Sequence, residues 1–202
     1  MNVLWRQFAM IRDYLDTGGI VMVPLLAVSL VMWVLIINRA FFFRRLHRRN
    51  MPREKAGHFV RSAQPPPFRQ YRGITAMFVT EFLARRTGER RQDRRALDET
   101  VMTLSLSLDR YLAMIGVLAR VAPLLGLLGT IIGMMRTFTI ISVFGTGNPK
   151  AMAAGISEAL ITTQTGLLVA IPGLYMYGFL SRRADNLKHR LASLGIYLKR
   201  YV

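Results

Sequence analysis

Four polar side chains in succession, Thr162-Thr163-Gln164-Thr165, interrupt an otherwise apolar run from about Met152 to Leu180. Successive residues of a helix advance by about 100°, so the four cover some 300° of the wheel. In hydrocarbon, no rotation of such a helix hides them all unless protein or water surrounds it. A threonine hydroxyl can bond back to the carbonyl four residues earlier, which satisfies the threonines locally but not Gln164. Glu158 is the only acid of this run, and an ionisable group in a span is a functional-site hypothesis by default. It lies within about 10 Å of the outer end of its helix at 1.5 Å per residue. Two readings stand side by side: a role in ion passage or gating, or a rim carboxylate paired with Arg136. Arg136 is the single charge in a second apolar run, from about Val121 to Val143. The second run also holds Thr130 and the small residues Gly126, Gly129 and Gly133; Gly129-x-x-x-Gly133 permits close backbone approach between helices. Thr130 and Thr163 can line a wet path, but a hydroxyl exchanges no proton near neutral pH. No Asp, Glu, His or Lys falls at mid-membrane, so a proton crossing here needs a carrier from another polypeptide.

These side chains need helices to hold them, and composition says where the helices are. The chain of 202 residues is 52% hydrophobic yet carries 28 Lys+Arg against 11 Asp+Glu, a formal charge of +17. Segregation reconciles the two, with apolar runs in lipid and the basic excess on the cytoplasmic side. A bilayer core takes roughly 20 apolar residues of helix. Besides the two runs above, Gly19 to Asn38 qualifies, uncharged until Arg39. It is too long for the hydrophobic region of a cleaved signal peptide, and its basic residues follow rather than precede it, so it reads as a retained signal anchor. Cysteine is absent and His numbers three, so neither a disulfide framework nor a metal site is expected. With no nucleophile–base pair, phosphate loop or metal cluster, the chain is expected to be no enzyme and to carry no cofactor.

Charge sets the orientation. Residues 44–110 hold 16 bases, among them Arg44, Arg45, Arg48, Arg49 and the pairs Arg85-Arg86 and Arg94-Arg95, against seven acids. From Ser181 onward six bases face only Asp185, whereas the N-terminal 18 residues are balanced. The positive-inside rule therefore puts the N-terminus outside and the middle region and tail inside. Nucleic-acid contact is the rival explanation of the arginines, but aromatic interleaving and a binding motif are lacking and topology suffices, so no nucleic acid is expected. Anionic headgroups near Arg44–Arg49 are the better secondary partner.

The expected organisation is an outer-face amphipathic helix over 1–18 anchored by Trp5, with a frayed tail as the alternative; a first transmembrane helix over 19–43; and a basic cytoplasmic helical region over 44–92, broken at Pro65-Pro66-Pro67. An apolar stripe at 97, 101, 104, 108, 111/112 and 115 predicts one long helix over 93–144 containing the second span. A short periplasmic turn over 145–151, a third transmembrane helix over 152–181, kinked at Pro172-Gly173, and a basic cytoplasmic tail over 182–202 follow. A long striped helix and a polar ring with too little protein to shield them predict an oligomer. The fold class is thus all-α and integral to the membrane, with the second and third helices extended into the cytoplasm.

Val121-Ala122-Pro123-Leu124-Leu125-Gly126-Leu127-Leu128-Gly129-Thr130, followed by Gly133-Met134-Met135-Arg136-Thr137-Phe138, resembles the second-span signature of the MotA/TolQ/ExbB proton-channel family. Gly155-Ile156-Ser157-Glu158-Ala159-Leu160-Ile161-Thr162-Thr163, followed by Gly166-Leu167-Leu168-Val169-Ala170-Ile171-Pro172, resembles its third-span signature. The resemblance implies an inner-membrane pentamer around a central pore, occupied by the transmembrane helices of an ExbD- or TolR-type partner whose Asp carries the proton. It makes Thr130 and Thr163 pore-lining, matches Glu158 to the family's third-span Glu, and gives Pro123, Gly126, Gly129, Gly133, Gly166 and Pro172 to helix packing. It further implies conversion of proton-motive force into motion. In the ExbB branch that motion drives TonB and the outer-membrane uptake of iron chelates and cobalamin; in the TolQ branch it serves envelope integrity. Asp16-Thr17-Gly18-Gly19 and Pro24-Leu25-Leu26 look most like the shorter ExbB-type proteins.

Overall fold

A computed structural model of the chain describes residues 14, 17–47, 51–67, 71 and 73–202. The amphipathic helix expected over 1–18 lies almost wholly outside the described residues. Six α-helices follow among those described: α1 Met22–His47, α2 Arg53–Ser62, α3 Ile74–Arg85, α4 Arg90–Asp109, α5 Leu112–Phe144 and α6 Pro149–Leu198. Among the described residues, three stretches are long and apolar enough to cross a membrane: Met22–Leu46, one within Arg90–Gly147 and one within Pro149–Leu198.

The chain divides into two compact units, Met1–Leu35 with Met114–Tyr177, and Ile36–Ala113 with Gly178–Val202. The first is built from the apolar runs. Its interior holds Met22, Leu25 and Met32 from α1, Ile115, Ala119 and Ala122 from α5, and Ala159, Val169 and Ala170 from α6. Small residues dominate the α5 and α6 contributions, which lets the backbones approach closely. Gly173 backs onto Met32, and a Cβ there would stand 3.2 Å from the Ala119 Cβ. The outward faces carry Leu124, Leu127, Met135 and Phe138 on α5 and Leu160, Leu168 and Ile171 on α6, all more than half exposed. Exposed aliphatic faces of that extent suit lipid or another subunit rather than water.

The second unit has a conventional apolar core of Phe43, Val60, Phe78, Phe82, Leu97, Leu108, Leu180 and Leu191, each at most 1% exposed. Within it α4 and the end of α6 run antiparallel, tied by Lys188 to Asp109 at 2.6 Å and Lys199 to Asp98 at 2.7 Å. Asp93 organises the link between α3 and α4. Its buried carboxylate accepts the Thr87 N–H at 2.8 Å, the Thr87 hydroxyl at 3.2 Å and the Gly88 N–H at 3.3 Å, and faces the Arg86 guanidinium at 3.4 Å. Arg86 in turn donates to the Val60 carbonyl at the end of α2, at 2.6 Å.

The continuous helix expected over 93–144 is in fact two. α4 ends at Asp109, α5 begins at Leu112, and Tyr111 between them takes a left-handed φ of 66°. That conformation is costly for a residue with a Cβ. The compensation comes from far along the chain: Arg39, only 4% exposed, donates to the Ser107 carbonyl at 2.6 Å and also to the Leu108 carbonyl. Those are the carbonyls that Tyr111 and Leu112 would bond in an unbroken helix. The apolar stripe itself persists, as Leu104, Leu108, Leu112 and Ile115 are all buried. The side-chain period survives where the backbone ladder does not.

At the other end, the tail expected over 182–202 is helical to Leu198, part of the 50-residue α6. α6 runs as one helix through Pro172. The turn expected over 145–151 is shorter: a 3₁₀ turn at Gly145–Gly147, after which α6 starts at Pro149. Asn148 caps it, its Oδ1 accepting the Ala151 N–H at 3.1 Å, with Pro149 at the first helical position where its missing N–H costs nothing.

Candidate functional site

The α5–α6 seam is a ladder of small residues. A Cβ on Gly126 would stand 3.0 Å from the Thr162 carbonyl oxygen and 3.2 Å from the Thr163 Cα; one on Gly166 would be 2.8 Å from the Ala122 carbonyl oxygen. One step outward a Cβ on Gly129 would collide with the Thr162 side chain. Beyond it a Cβ on Gly133 would meet the Gly155 carbonyl oxygen at 2.7 Å and the Ala159 nitrogen at 2.9 Å. The three α5 glycines thus mark three successive rungs at which only hydrogen fits between the helices. Pro123 and Pro172 are half-buried within α5 and α6 respectively.

Against this seam the four polar residues of α6 divide. Thr162 is fully buried and its hydroxyl bonds back to the Glu158 and Ala159 carbonyls, both at 3.0 Å. Thr165 is buried too, bonding the Ile161 carbonyl at 2.7 Å and the Tyr14 hydroxyl at 2.7 Å. Thr163 is half-exposed; its hydroxyl reaches the Ala159 carbonyl at 3.1 Å and, across the seam, the Gly126 carbonyl at 3.4 Å. Gln164 is exposed. Thr130 is half-exposed as well, bonded to the Leu127 carbonyl at 2.7 Å. On their own helices Thr130 sits among Leu127 and Met134, and Thr163 among Leu160 and Leu167, all exposed. Each is a lone hydroxyl on an apolar outer stripe.

Near the other end of the seam, Glu158 is 7% exposed and its Oε2 lies 3.0 Å from Arg136 Nη1. The guanidinium side is largely exposed, so the pair is a buried carboxylate met from the surface by a flexible cation. The carboxylate has a second neighbour: a Cβ on Gly19 would collide with Glu158 Oε1, and Gly19 takes a φ of 67° that favours glycine. The turn leading into α1 therefore closes over the acid.

Several participants carry no assignment in the sequence reading. Thr137, 3% exposed, bonds the Gly133 carbonyl at 3.1 Å and fills the space beside Gly155. Gly155 is a fifth seam glycine; its spacing of four from Ala159 was the available signal. The Tyr14–Thr165 bond joins residues 151 apart, and nothing local could announce it.

A profile of the MotA/TolQ/ExbB proton channel family matches residues 70–193. The chain is 36% identical over 164 residues to an ExbB-like biopolymer transport protein of Synechocystis sp., covering 78% of each chain. It is 28% identical over 196 residues to the biopolymer transport protein ExbB of Salmonella typhimurium, covering 86% of this chain and 77% of that one. An ExbB homologue of Methanothermobacter thermautotrophicus is 27% identical over 188 residues, 89% of this chain and 66% of its own length. The matched region takes in the whole seam, both lone hydroxyls and the carboxylate. With three helices fit to cross a membrane, the chain is a membrane protein and belongs to the MotA/TolQ/ExbB proton channel family, a family of channels and transport proteins rather than enzymes, where it resembles the ExbB-type members.

Proposed function

We propose that this chain is the channel and motor subunit of an inner-membrane complex that uses proton-motive force to work on a TonB-like energy transducer, powering outer-membrane uptake of iron chelates or cobalamin. Five copies surround a central pore, and an ExbD-like partner places the protonatable Asp inside it. The N-terminus and the Gly145–Gly147 turn face the periplasm. Residues 44–110 and the end of α6 face the cytoplasm, where arginines such as Arg44 and Arg45 meet anionic headgroups.

The observation that carries this reading is the disposition of polar groups on α5 and α6. Thr137, Thr162 and Thr165 are buried at the seam, whereas Thr130 and Thr163 are half-exposed among apolar neighbours on the outer faces. The sole acid of the two spans sits at one end of the seam against Arg136. A lone hydroxyl can solvate a proton path but not relay charge by itself, so the partner's carboxylate completes the site. A half-exposed Thr163 is available to such a partner and Thr162 is not.

The test is growth on a scarce iron chelate by cells carrying Thr163→Ala, with blue-native gels following the complex. The hydroxyl's bond across the seam is long, and interhelical hydrogen bonds in membranes contribute about 0.6–2 kcal/mol. The complex therefore persists while growth fails, and Thr163→Ser restores growth. Loss of the complex itself would instead favour a non-conducting scaffold whose polar ring only joins helices. Normal growth would point to the TolQ-type role, read next as sensitivity to detergent.

A further inference from the structure

In the first unit, two residues that precede α1 touch α6, and both contacts fall on one edge of that helix. Gly19 backs onto the Glu158 carboxylate, and the Tyr14 hydroxyl bonds Thr165 Oγ1 at 2.7 Å. Seven residues separate Glu158 from Thr165, which brings them to within about 20° on the wheel, whereas Thr163 stands about 140° from Glu158. The contacts therefore cover one edge of α6 and leave Thr163 on the other.

The two contacts also fix a direction. α1 runs parallel to α6, with Gly19 against Glu158 and Met32 against Gly173. A chain arriving straight into α1 would put Tyr14 nearer the Pro149 end of α6 than Gly19. Thr165 lies the other way, about 10 Å beyond Glu158 along the axis. The Gly18 N–H bonds the Tyr14 carbonyl at 3.2 Å, the spacing of one helical turn, and four residues of helix advance about 6 Å. A tyrosine side chain reaches about as far. Were that turn directed toward Pro149, the hydroxyl would at best return to the level of Gly18, and a sideways turn would also leave it short of Thr165. Helical side chains lean toward the N-terminus, so the Glu158 carboxylate stands no nearer Thr165 than its own Cα does. Tyr14 therefore lies on the Leu180 side of Gly19, and the chain reverses at Gly18-Gly19 before α1 begins at Met22. The φ of 67° at Gly19 is the left-handed conformation that such a reversal uses.

The bond at the tip is one that can open. Thr165 has a single hydroxyl proton and already bonds the Ile161 carbonyl at 2.7 Å, so the Tyr14 phenol is the donor between them. Parting the two leaves Thr165 satisfied and deprives only the phenol of Tyr14, a residue 38% exposed. An exposed polar group loses far less on being unpaired than a buried one. Glu158, by contrast, is buried, with Gly19 against Oε1 and Arg136 against Oε2. We propose that Tyr14 is the catch of a latch on Glu158. With its hydroxyl on Thr165, the Gly18-Gly19 reversal is held against the carboxylate; with the catch released, the reversal lifts and Glu158 is uncovered. The latch rests on contacts within one chain and stands whether or not the transport reading does.

The sequence has no cysteine, so the reversal is tested with introduced pairs in the full-length protein in membranes. Tyr14→Cys is combined with Thr165→Cys or with Ala154→Cys, which shares the Glu158 edge one turn nearer Pro149. Each pair is treated with a short bis-thiosulfonate and read by loss of the mobility shift from maleimide–polyethylene glycol. The Thr165 pair should link within one chain and the Ala154 pair should not. Linking at Ala154 instead, at neither, or only between chains overturns the reversal. The latch is read on the native carboxylate, as the rate at which dicyclohexylcarbodiimide modifies Glu158, followed by mass spectrometry. Tyr14→Phe, which keeps the ring and loses the hydroxyl, should speed modification at least fivefold. Thr165→Val should match it, and the double variant should be no faster than either, because both remove the same bond. Unchanged rates, or effects that add, overturn the latch while leaving the reversal in place.

Discussion

Thr162 and Thr163 are identical side chains one residue apart, and a rotation of about 100° gives them different work. Thr162 is enclosed by the seam with both its bonds inside α6, whereas Thr163 keeps one side open. The glycines opposite them set how closely the helices meet, and each can be tested by adding one methyl group. Gly133→Ala drives a Cβ against the backbone of Gly155 and Ala159, which no rotamer change relieves, and should cost about 1–3 kcal/mol of stability. Gly129→Ala drives a Cβ against the buried Thr162 side chain, whose own Cβ no rotamer change moves, and should cost at least as much; thermal unfolding in detergent measures both. A negligible loss for either would mean that α5 and α6 meet in another register. The seam glycines were legible in the sequence because small residues at spacings of three and four have few other uses in a span. Enclosure of Glu158 by Gly19 was not, since the two are 139 positions apart and meet only when α1 docks.

At the scale of elements, two charged side chains decide where helices begin and end. Arg39 substitutes for the missing backbone donors at the end of α4. Hydrogen bonds from a charged donor contribute about 1.5–3 kcal/mol each, so Arg39→Met should lose roughly 2–4 kcal/mol and speed tryptic cleavage at the exposed Arg110. Unchanged cleavage kinetics would show that the break is held by packing alone. Asp93 does the corresponding work before α4. Burial by itself would raise its pKa, but the N–H groups of Thr87 and Gly88, the Thr87 hydroxyl and the Arg86 charge outweigh burial and hold it below the ordinary value. A carboxyl with a folded pKa below its unfolded value of about 3.9 stabilises the fold above that pH, and the contribution fades as pH falls through the folded value. The gap in thermal midpoint between wild type and Asp93→Asn should therefore be full at neutral pH and narrow below about pH 4. A gap constant down to pH 3 would remove the ionised carboxylate from the account. The period of the α4 stripe was legible over 97–115, but the break at Arg110–Tyr111 was not, because its stabilising donor lies 68 residues away.

At the scale of the whole molecule, the distribution of charge is the strongest constraint. The absence of cysteine makes it directly measurable, since a single introduced thiol is the only one present. Gly147→Cys, in the turn between α5 and α6, should react with an impermeant maleimide in spheroplasts, and Arg91→Cys should react only after permeabilisation. The reverse pattern would invert the proposed topology and with it the assignment of the basic region to the cytoplasm.

What the sequence determined by itself was the existence of three helices apolar enough to cross a membrane, the small-residue seam, the family, and apolar runs without Asp, His or Lys in which Glu158 is the one acid. These rest on composition and on local spacings of three, four and seven residues, which survive any arrangement of the chain. Tertiary structure alone decided which threonine stays open and where the 93–144 stripe breaks. It also decided that Gly19 closes over Glu158. Each of these depends on contacts between residues tens to more than a hundred positions apart. No periodicity encodes such pairings, because they follow from how the helices pack rather than from how any one of them is written.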